Sequence, residues 1–320
     1  MLNSLRAGNY GNVYLDMAQS AYASQPLSFS KVLRHKPVRI DYSKARVHHG
    51  EQHIRLGRKG DPTVFLQPFQ IGTDQDKDGL HAFVLTDIEE MREASHAYFV
   101  VRGTESMLLS DPDWQKNNIP FAFSHAAPAQ TTGALAAWRQ ISVANPQIKQ
   151  WDFTGHSLGT MVIAAMLADF TAAEAVLVHR VVLFNGPDVA QTLDAAQLTR
   201  LRAISTRVQM TYYIGSRDYI SAYNREVASG IGTVHYIAAP LNATPRPTVN
   251  AHAFDQYAVA ATGEIALDES AANLAYAHEL ARILDSFFSE AALGKTAVSV
   301  QFTRLRDQLK LRFTPDNSSK

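Results

Sequence analysis

Residues Gly155-His156-Ser157-Leu158-Gly159 place a serine midway between two glycines, a spacing suited to nucleophilic attack on an acyl carbonyl. The chain before them, Gln150-Trp151-Asp152-Phe153-Thr154, reads as a short β-strand. The chain after them, Met161 to Ala168, is small and apolar and reads as a helix. A strand that turns abruptly into a helix is the setting a G-x-S-x-G elbow requires. The flanking glycines remove Cβ atoms that would clash in so sharp a turn and tolerate strained backbone angles. The hydroxyl is then held at the tip, near the positive end of the following helix. With 17 Gly among 320 residues the bare pattern is weak by itself, and the flanking elements make it specific.

A serine hydroxyl needs a base to accept its proton and a third group to orient that base. On a strand–helix scaffold the order is serine, carboxylate, histidine, each on a loop after a strand. Asp188, Asp194 and Asp218 are the acids to compare. Asp218 is preferred because it follows the strand-like Met210-Thr211-Tyr212-Tyr213-Ile214 directly. Asp188, in Asn185-Gly186-Pro187-Asp188, is the alternative, with a cap or turn role as its ordinary use. Among the later histidines His278 sits within a helix and His235 within a strand, where packing is the usual role. His252 follows a Pro- and Asn-rich loop and has the freedom to meet the serine, so it is the preferred base.

These residues need a scaffold, and the pattern around them supplies one. Val13 to Tyr22 predicts an amphipathic helix, and the polar, basic stretch Ser30 to Arg58 predicts irregular structure. Residues 63–71 and 80–85 are strand-like and joined across Asp78-Gly79, as in an antiparallel hairpin. Residues 97–101 form a near-continuous apolar run, as in a strand buried on both faces. Helix 133–143, strands 151–154, 180–184 and 208–213, and helix 157–170 alternate in the manner of a mostly parallel sheet. Ala271 to Phe288 predicts a long helix. The tail alternates at period two over 297–302 and 309–313, which predicts a terminal hairpin. The expectation is one α/β domain over residues 1–320, with 294–320 as a β extension. Hydrophobic residues make up 46% and charged residues 19%, with 30 basic side chains against 30 acidic. That balance provides no basic stripe for nucleic acid, and the lack of cysteine excludes disulfides, thiol catalysis and Cys-ligated zinc.

Two segments resemble the class 3 lipase family, the α/β-hydrolases related to fungal triacylglycerol lipases. One is the elbow. The other is Phe99-Val100-Val101-Arg102-Gly103-Thr104-Glu105-Ser106 with Asp113-Trp114 and Asn117-Asn118 beyond it. The resemblance spans roughly residues 60 to 260, and around Asp218 and His252 it is to a bacterial branch, and loose. It implies an α/β-hydrolase fold and a lipid ester substrate met at a membrane or micelle surface. It also implies an oxyanion hole built from Thr104 and Leu158, through their backbone N–H groups and the Thr104 hydroxyl. Fixed donors of this kind typically contribute ~3 kcal/mol each to lowering the barrier. Members often cover the site with a flap, for which Met107-Leu108-Leu109 followed by Ser110-Asp111-Pro112 is the counterpart. The family usually has glycine where this chain has Thr160, and nothing familiar covers the first fifty residues or the tail.

Other constellations point elsewhere. Asp74, Asp76 and Asp78, ending in Gly79, resemble the start of a calcium loop. The twelfth position, where an EF-hand needs glutamate, is Leu85, so a solvated turn is the default and no cofactor is required. His48-His49-Gly50-Glu51-Gln52-His53 is rich in metal-binding side chains but lacks a framing pattern, and it reads as solvated surface. Met1 to Tyr10 lacks the apolar run of a secretory signal, so synthesis in the cytoplasm, with any export by a route that cleaves no signal, is expected. The same chemistry would serve a delivered antibacterial phospholipase paired with an immunity protein. A catalytically idle hydrolase fold used for binding is the reading from a different class.

Overall fold

A computed structural model describes residues 11–22, 29, 36–44, 46–49, 52–55, 61–72, 78–105, 110–223, 225, 230–238, 247, 249–257, 265–290 and 298–313. Ten strands are described: β1 (Val38–Asp41), β2 (Arg46–His49), β3 (Gln52–Arg55), β4 (Thr63–Ile71), β5 (Ala82–Thr86), β6 (His96–Val101), β7 (Gln150–His156), β8 (Val178–Phe184), β9 (Gln209–Gly215) and β10 (Thr233–Ile237). β2 and β3 form a separate antiparallel ribbon. The others form one eight-stranded sheet in the order β1-β4-β5-β6-β7-β8-β9-β10. From β6 to β10 neighbours run parallel, and β1, β4, β5 and β6 pair antiparallel, including the expected β4–β5 hairpin partners.

The eight helices are α1 (Gly11–Ser20), α2 (Ile119–Ser124), α3 (Gln130–Ala144), α4 (Leu158–Ala168), α5 (Ala172–Ala175), α6 (Ala195–Arg207), α7 (Ala271–Glu290) and α8 (Val298–Arg312), among the described residues. Both sheet faces are covered, which is why the central strands are apolar throughout. Phe99, Val101, Phe153, Val181 and Leu183 pack with Trp138 of α3, Met166 of α4, Leu201 of α6 and Leu284 of α7. Their alternating neighbours Tyr98, Val100, Val182 and Phe184 pack with Val13, Leu15 and Met17 of α1 on the other face. Such two-sided burial marks strands inside a layered α/β sheet. The mixed sheet with helices on both faces is an α/β-hydrolase fold.

Two expectations fail. The tail is a helix, not a hairpin: Gln301, Leu305 and Leu309 are buried at intervals of four, so one helical stripe meets the core. Short period-two runs in the tail are compatible with that stripe, and packing decides between them. The stretch Ser30 to Arg58, expected to be irregular, carries β1, β2 and β3. β1 lies at the sheet edge with β4 as its neighbour, and an edge strand tolerates the polar residues that hid it. No described helix is long and apolar enough to cross a membrane.

Candidate active site

The groups singled out in the sequence converge at the carboxyl ends of the parallel strands, where open α/β sheets bind ligands. Ser157 stands between β7 and α4 with φ 54° and ψ −125°, a region that non-glycine residues rarely occupy. Strain of this kind costs about 1–3 kcal/mol and persists only where the surroundings enforce it. Here the Ser157 N–H donates to the Phe184 carbonyl at 3.0 Å, and the Thr160 N–H and hydroxyl donate to the Ser157 carbonyl at 3.0 and 2.7 Å. Neither flanking glycine has a positive φ, so the strain sits on the serine itself. Close approach is what those glycines permit: a Cβ on Gly159 would stand 2.3 Å from the Val101 carbonyl oxygen.

Thr160, where the resemblance leads one to expect glycine, is fully buried and occupies space left by another glycine. A Cβ on Gly186 would stand 1.6 Å from its hydroxyl oxygen. The absence of a side chain at Gly186 is what leaves room for Thr160.

Asp218 follows the end of β9 and is fully buried. One carboxylate oxygen accepts from the Ile220 N–H at 2.9 Å, and the other lies 2.7 Å from Nδ1 of His252. A carboxylate can only accept there, so Nδ1 carries the proton and Nε2 presents a lone pair. That Nε2 is shielded from solvent and has no hydrogen-bond partner among the described residues.

The position of His252, in a short turn (Val249–His252), is held through its backbone. Its carbonyl accepts from Nδ2 of Asn185 at 3.1 Å and from Nε2 of His156 at 2.9 Å. A carbonyl only accepts, so the His156 proton is on Nε2, and Nδ1 accepts from the Tyr22 hydroxyl at 2.8 Å. Burial, joined by the nearby His252, holds the His156 pKa well below its usual value, and the ring is a neutral link. Tyr22, just beyond α1, is thereby connected through His156 to the loop of His252, and the His156 and His252 ring centroids are 4.7 Å apart.

The end of β6 passes against the serine. A Cβ on Gly103 would lie 3.0 Å from the Ser157 Cβ, which puts the adjoining Thr104 backbone beside the same space as Leu158. The Thr104 hydroxyl accepts from Nδ2 of Asn118 at 2.8 Å, which leaves its own proton to donate elsewhere. Behind it, Asp113 begins a π-helical turn (Asp113–Asn118) and is 2% exposed. Its Oδ1 accepts from Gln130 at 2.7 Å, while Asn117 and Gln130 both donate to the Asp78 carbonyl at 2.9 Å. Burial raises the Asp113 pKa from 3.8 to about 7, Asp111 adds to the rise, and Arg102 opposes it.

The alternatives have other employment. Asp188 accepts from the Ala190 N–H at 2.8 Å and lies 3.8 Å from Arg225, and Asp194 caps α6. His235 pairs with Glu269 at 2.6 Å, and His278 is on the exposed side of α7. Asp74, Asp76 and the flap residues Met107, Leu108 and Leu109 lie outside the described residues. The same holds for the side chains of His48, His49 and His53. Asp78 is described, and its Oδ1 accepts from the Leu80 N–H at 3.2 Å. Tyr22, His156 and Asn185 were missed in the sequence, because their roles arise from contacts between distant segments. The one signal was Asn185-Gly186-Pro187, a turn directly after an apolar strand.

No family model matches the chain, and no curated protein does. Among solved structures it is similar to a lipase from Rhizomucor miehei in complex with its propeptide, at 16% identity and a TM-score of 0.40, over 71% of this chain and 67% of that one. A deletion mutant of the same complex gives 14% identity and a TM-score of 0.43, over 74% and 68%. A lipase from Yarrowia lipolytica gives 16% and 0.37, over 75% and 81%. Likeness this remote leaves the chemistry to be argued from the chain's own side chains.

Proposed function

We propose that the protein is a serine carboxylester hydrolase that cleaves lipid esters, acylglycerol or phospholipid, through an acyl-enzyme. The observation that carries the reading is the uncommitted Nε2 of His252, held by Asp218 at 2.7 Å on the other ring nitrogen and anchored by its carbonyl to the residue preceding Ser157. Ser157 attacks the ester carbonyl as His252 takes its proton. The carbonyl oxygen becomes an oxyanion that accepts from the N–H groups of Thr104 and Leu158, with the Thr104 hydroxyl as a third donor. The tetrahedral intermediate collapses as the imidazolium gives its proton to the leaving alcohol. Water, activated by the same imidazole, then releases the acid and regenerates the serine. Asp218 keeps His252 in the required tautomer and stabilises its charged form.

The lipid character of the substrate rests on the resemblance of the elbow and of the Arg102-Gly103-Thr104 strand end to the class 3 lipases. Turnover of p-nitrophenyl esters, tributyrin emulsion and phosphatidylcholine vesicles by wild type and Ser157→Ala tests both halves. Equal rates in the two proteins sink the serine mechanism. Turnover of the soluble ester alone sinks the lipid assignment.

A further inference from the structure

The amino ends of the same parallel strands carry a second histidine–carboxylate cluster. His96 opens β6, Asp152 lies near the start of β7 and His179 near the start of β8. Asp152 is 1% exposed, yet Nδ1 of His179 lies 2.8 Å from its Oδ1 and Nε2 of His96 lies 3.0 Å from its Oδ2. The three donor atoms all lie within 4.8 Å of one another.

The sheet is locally irregular beside the cluster. Trp151 pairs with Val178 but Asp152 with Arg180, so His179 is an extra residue opposite that step. Alternation from Val178, which faces the same side as its partner Trp151, puts His179 on the side of Asp152, and the irregularity brings Arg180 opposite Asp152 as well. His96 is placed by alternation, two residues before Tyr98, the pairing partner of Asp152. The His96 ring stacks on Tyr98 at 4.6 Å and meets the His179 ring edge-on at 5.3 Å.

We propose that His96, Asp152 and His179 form a binding site for a first-row divalent ion of the zinc type. Two imidazoles and one carboxylate are a donor set that such ions prefer. Nε2 of His96 is shielded from solvent and, although 3.0 Å from the carboxylate, is not aligned to hydrogen-bond it. Nitrogen and oxygen atoms 2.8–3.0 Å apart are already near the separation of two ligands on one ion, since bonds to zinc are about 2.0–2.2 Å long. The remaining approach falls to His179, whose side chain is 41% exposed. Its exposure also leaves water access to complete the coordination.

The tyrosine hydroxyl of Tyr14, on α1, donates to Oδ2 of Asp152, the outer hydrogen bond that ligating carboxylates usually have. With one carboxylate, the cluster is a poor match for calcium or magnesium, which need several oxygens.

The site lies at the opposite ends of the strands from Ser157, and it stands whether or not that serine is reactive. Calorimetric titration of the metal-free full chain with Zn²⁺, in a buffer that does not chelate, tests it alongside thermal melting. Expected are saturation at one ion per chain, a rise in Tm on loading, and at least about tenfold weaker binding in both His179→Ala and Asp152→Asn. His179→Ala changes an exposed side chain, and its melting in EDTA verifies that it folds. Absence of stoichiometric binding in wild type overturns the proposal. So does undiminished binding in folded His179→Ala, which would assign the ion elsewhere, such as to His48 and His53, paired across the β2–β3 ribbon.

Discussion

The two ends of the parallel sheet use the same side-chain types to opposite effect. At the amino end the Asp152 carboxylate has His179 on one oxygen and the Tyr14 hydroxyl on the other, with Nε2 of His96 3.0 Å away but not hydrogen-bonded, on unstrained strand backbone. At the carboxyl end Asp218 holds one imidazole, the other nitrogen of that ring has no partner among the described residues, and Ser157, next to the His156 that holds the His252 carbonyl, is strained. A carboxylate–histidine contact is therefore no sign of catalysis by itself. What distinguishes the carboxyl end is the strained backbone of Ser157, next to the histidine that holds the loop of His252. α1 connects the two, since Tyr14 reaches Asp152 and Tyr22, just beyond it, reaches His156.

Substitutions at the two ends sharpen that contrast. The largest expected effect is at the serine and its base: Ser157→Ala and His252→Ala should each lower kcat for ester hydrolysis by about 10⁴–10⁶, with melting temperature nearly unchanged. Asp218→Asn should lower kcat by about 10⁴ by disturbing the His252 tautomer, whereas Asp188→Asn should leave hydrolysis within a few-fold of wild type. Comparable losses in the two aspartate variants would erase the distinction between them. Next in size is Asn118→Ala, which frees the Thr104 hydroxyl to turn and should cost on the order of 10-fold to 100-fold in kcat with KM little changed. Tyr22→Phe leaves Nδ1 of His156 without its donor, and about a tenfold loss in kcat is expected, again without a matching change in KM.

The smallest effect is on stability. An aspartate whose pKa rises on folding binds more protons folded than unfolded between its two values. Its contribution is therefore greatest below about pH 4 and is lost as pH climbs through about 7. Asp113→Asn should flatten the stability–pH curve over that window, with a gain of about 1–3 kcal/mol at pH 8 relative to its effect at pH 4. Urea unfolding at the two pH values measures it, and parallel curves for variant and wild type would refute the assignment.

Much of this was legible in the sequence because it is local. The elbow, the apolar strands and the order of Ser157, Asp218 and His252 each follow from a few adjacent residues or from chain order. What stayed hidden depends on contacts between distant segments. Nothing near Tyr22 announces that its hydroxyl meets His156, and nothing near Asn185 announces the carbonyl it holds. The approach of His179 to Asp152 is likewise a property of strand pairing, invisible in β8 alone. The tail misled because a helix packed along one stripe leaves its other faces free to take any pattern, including alternation.

The central claim is that Nε2 of His252, which has no partner among the described residues, activates Ser157. Fluorophosphonate labelling followed by peptide mass spectrometry tests it most directly. The account predicts a single adduct on Ser157 in wild type, none in Ser157→Ala, and labelling slowed by at least about 10³ in folded His252→Ala. An adduct on another residue, or labelling of Ser157 at an unchanged rate in His252→Ala, would contradict it.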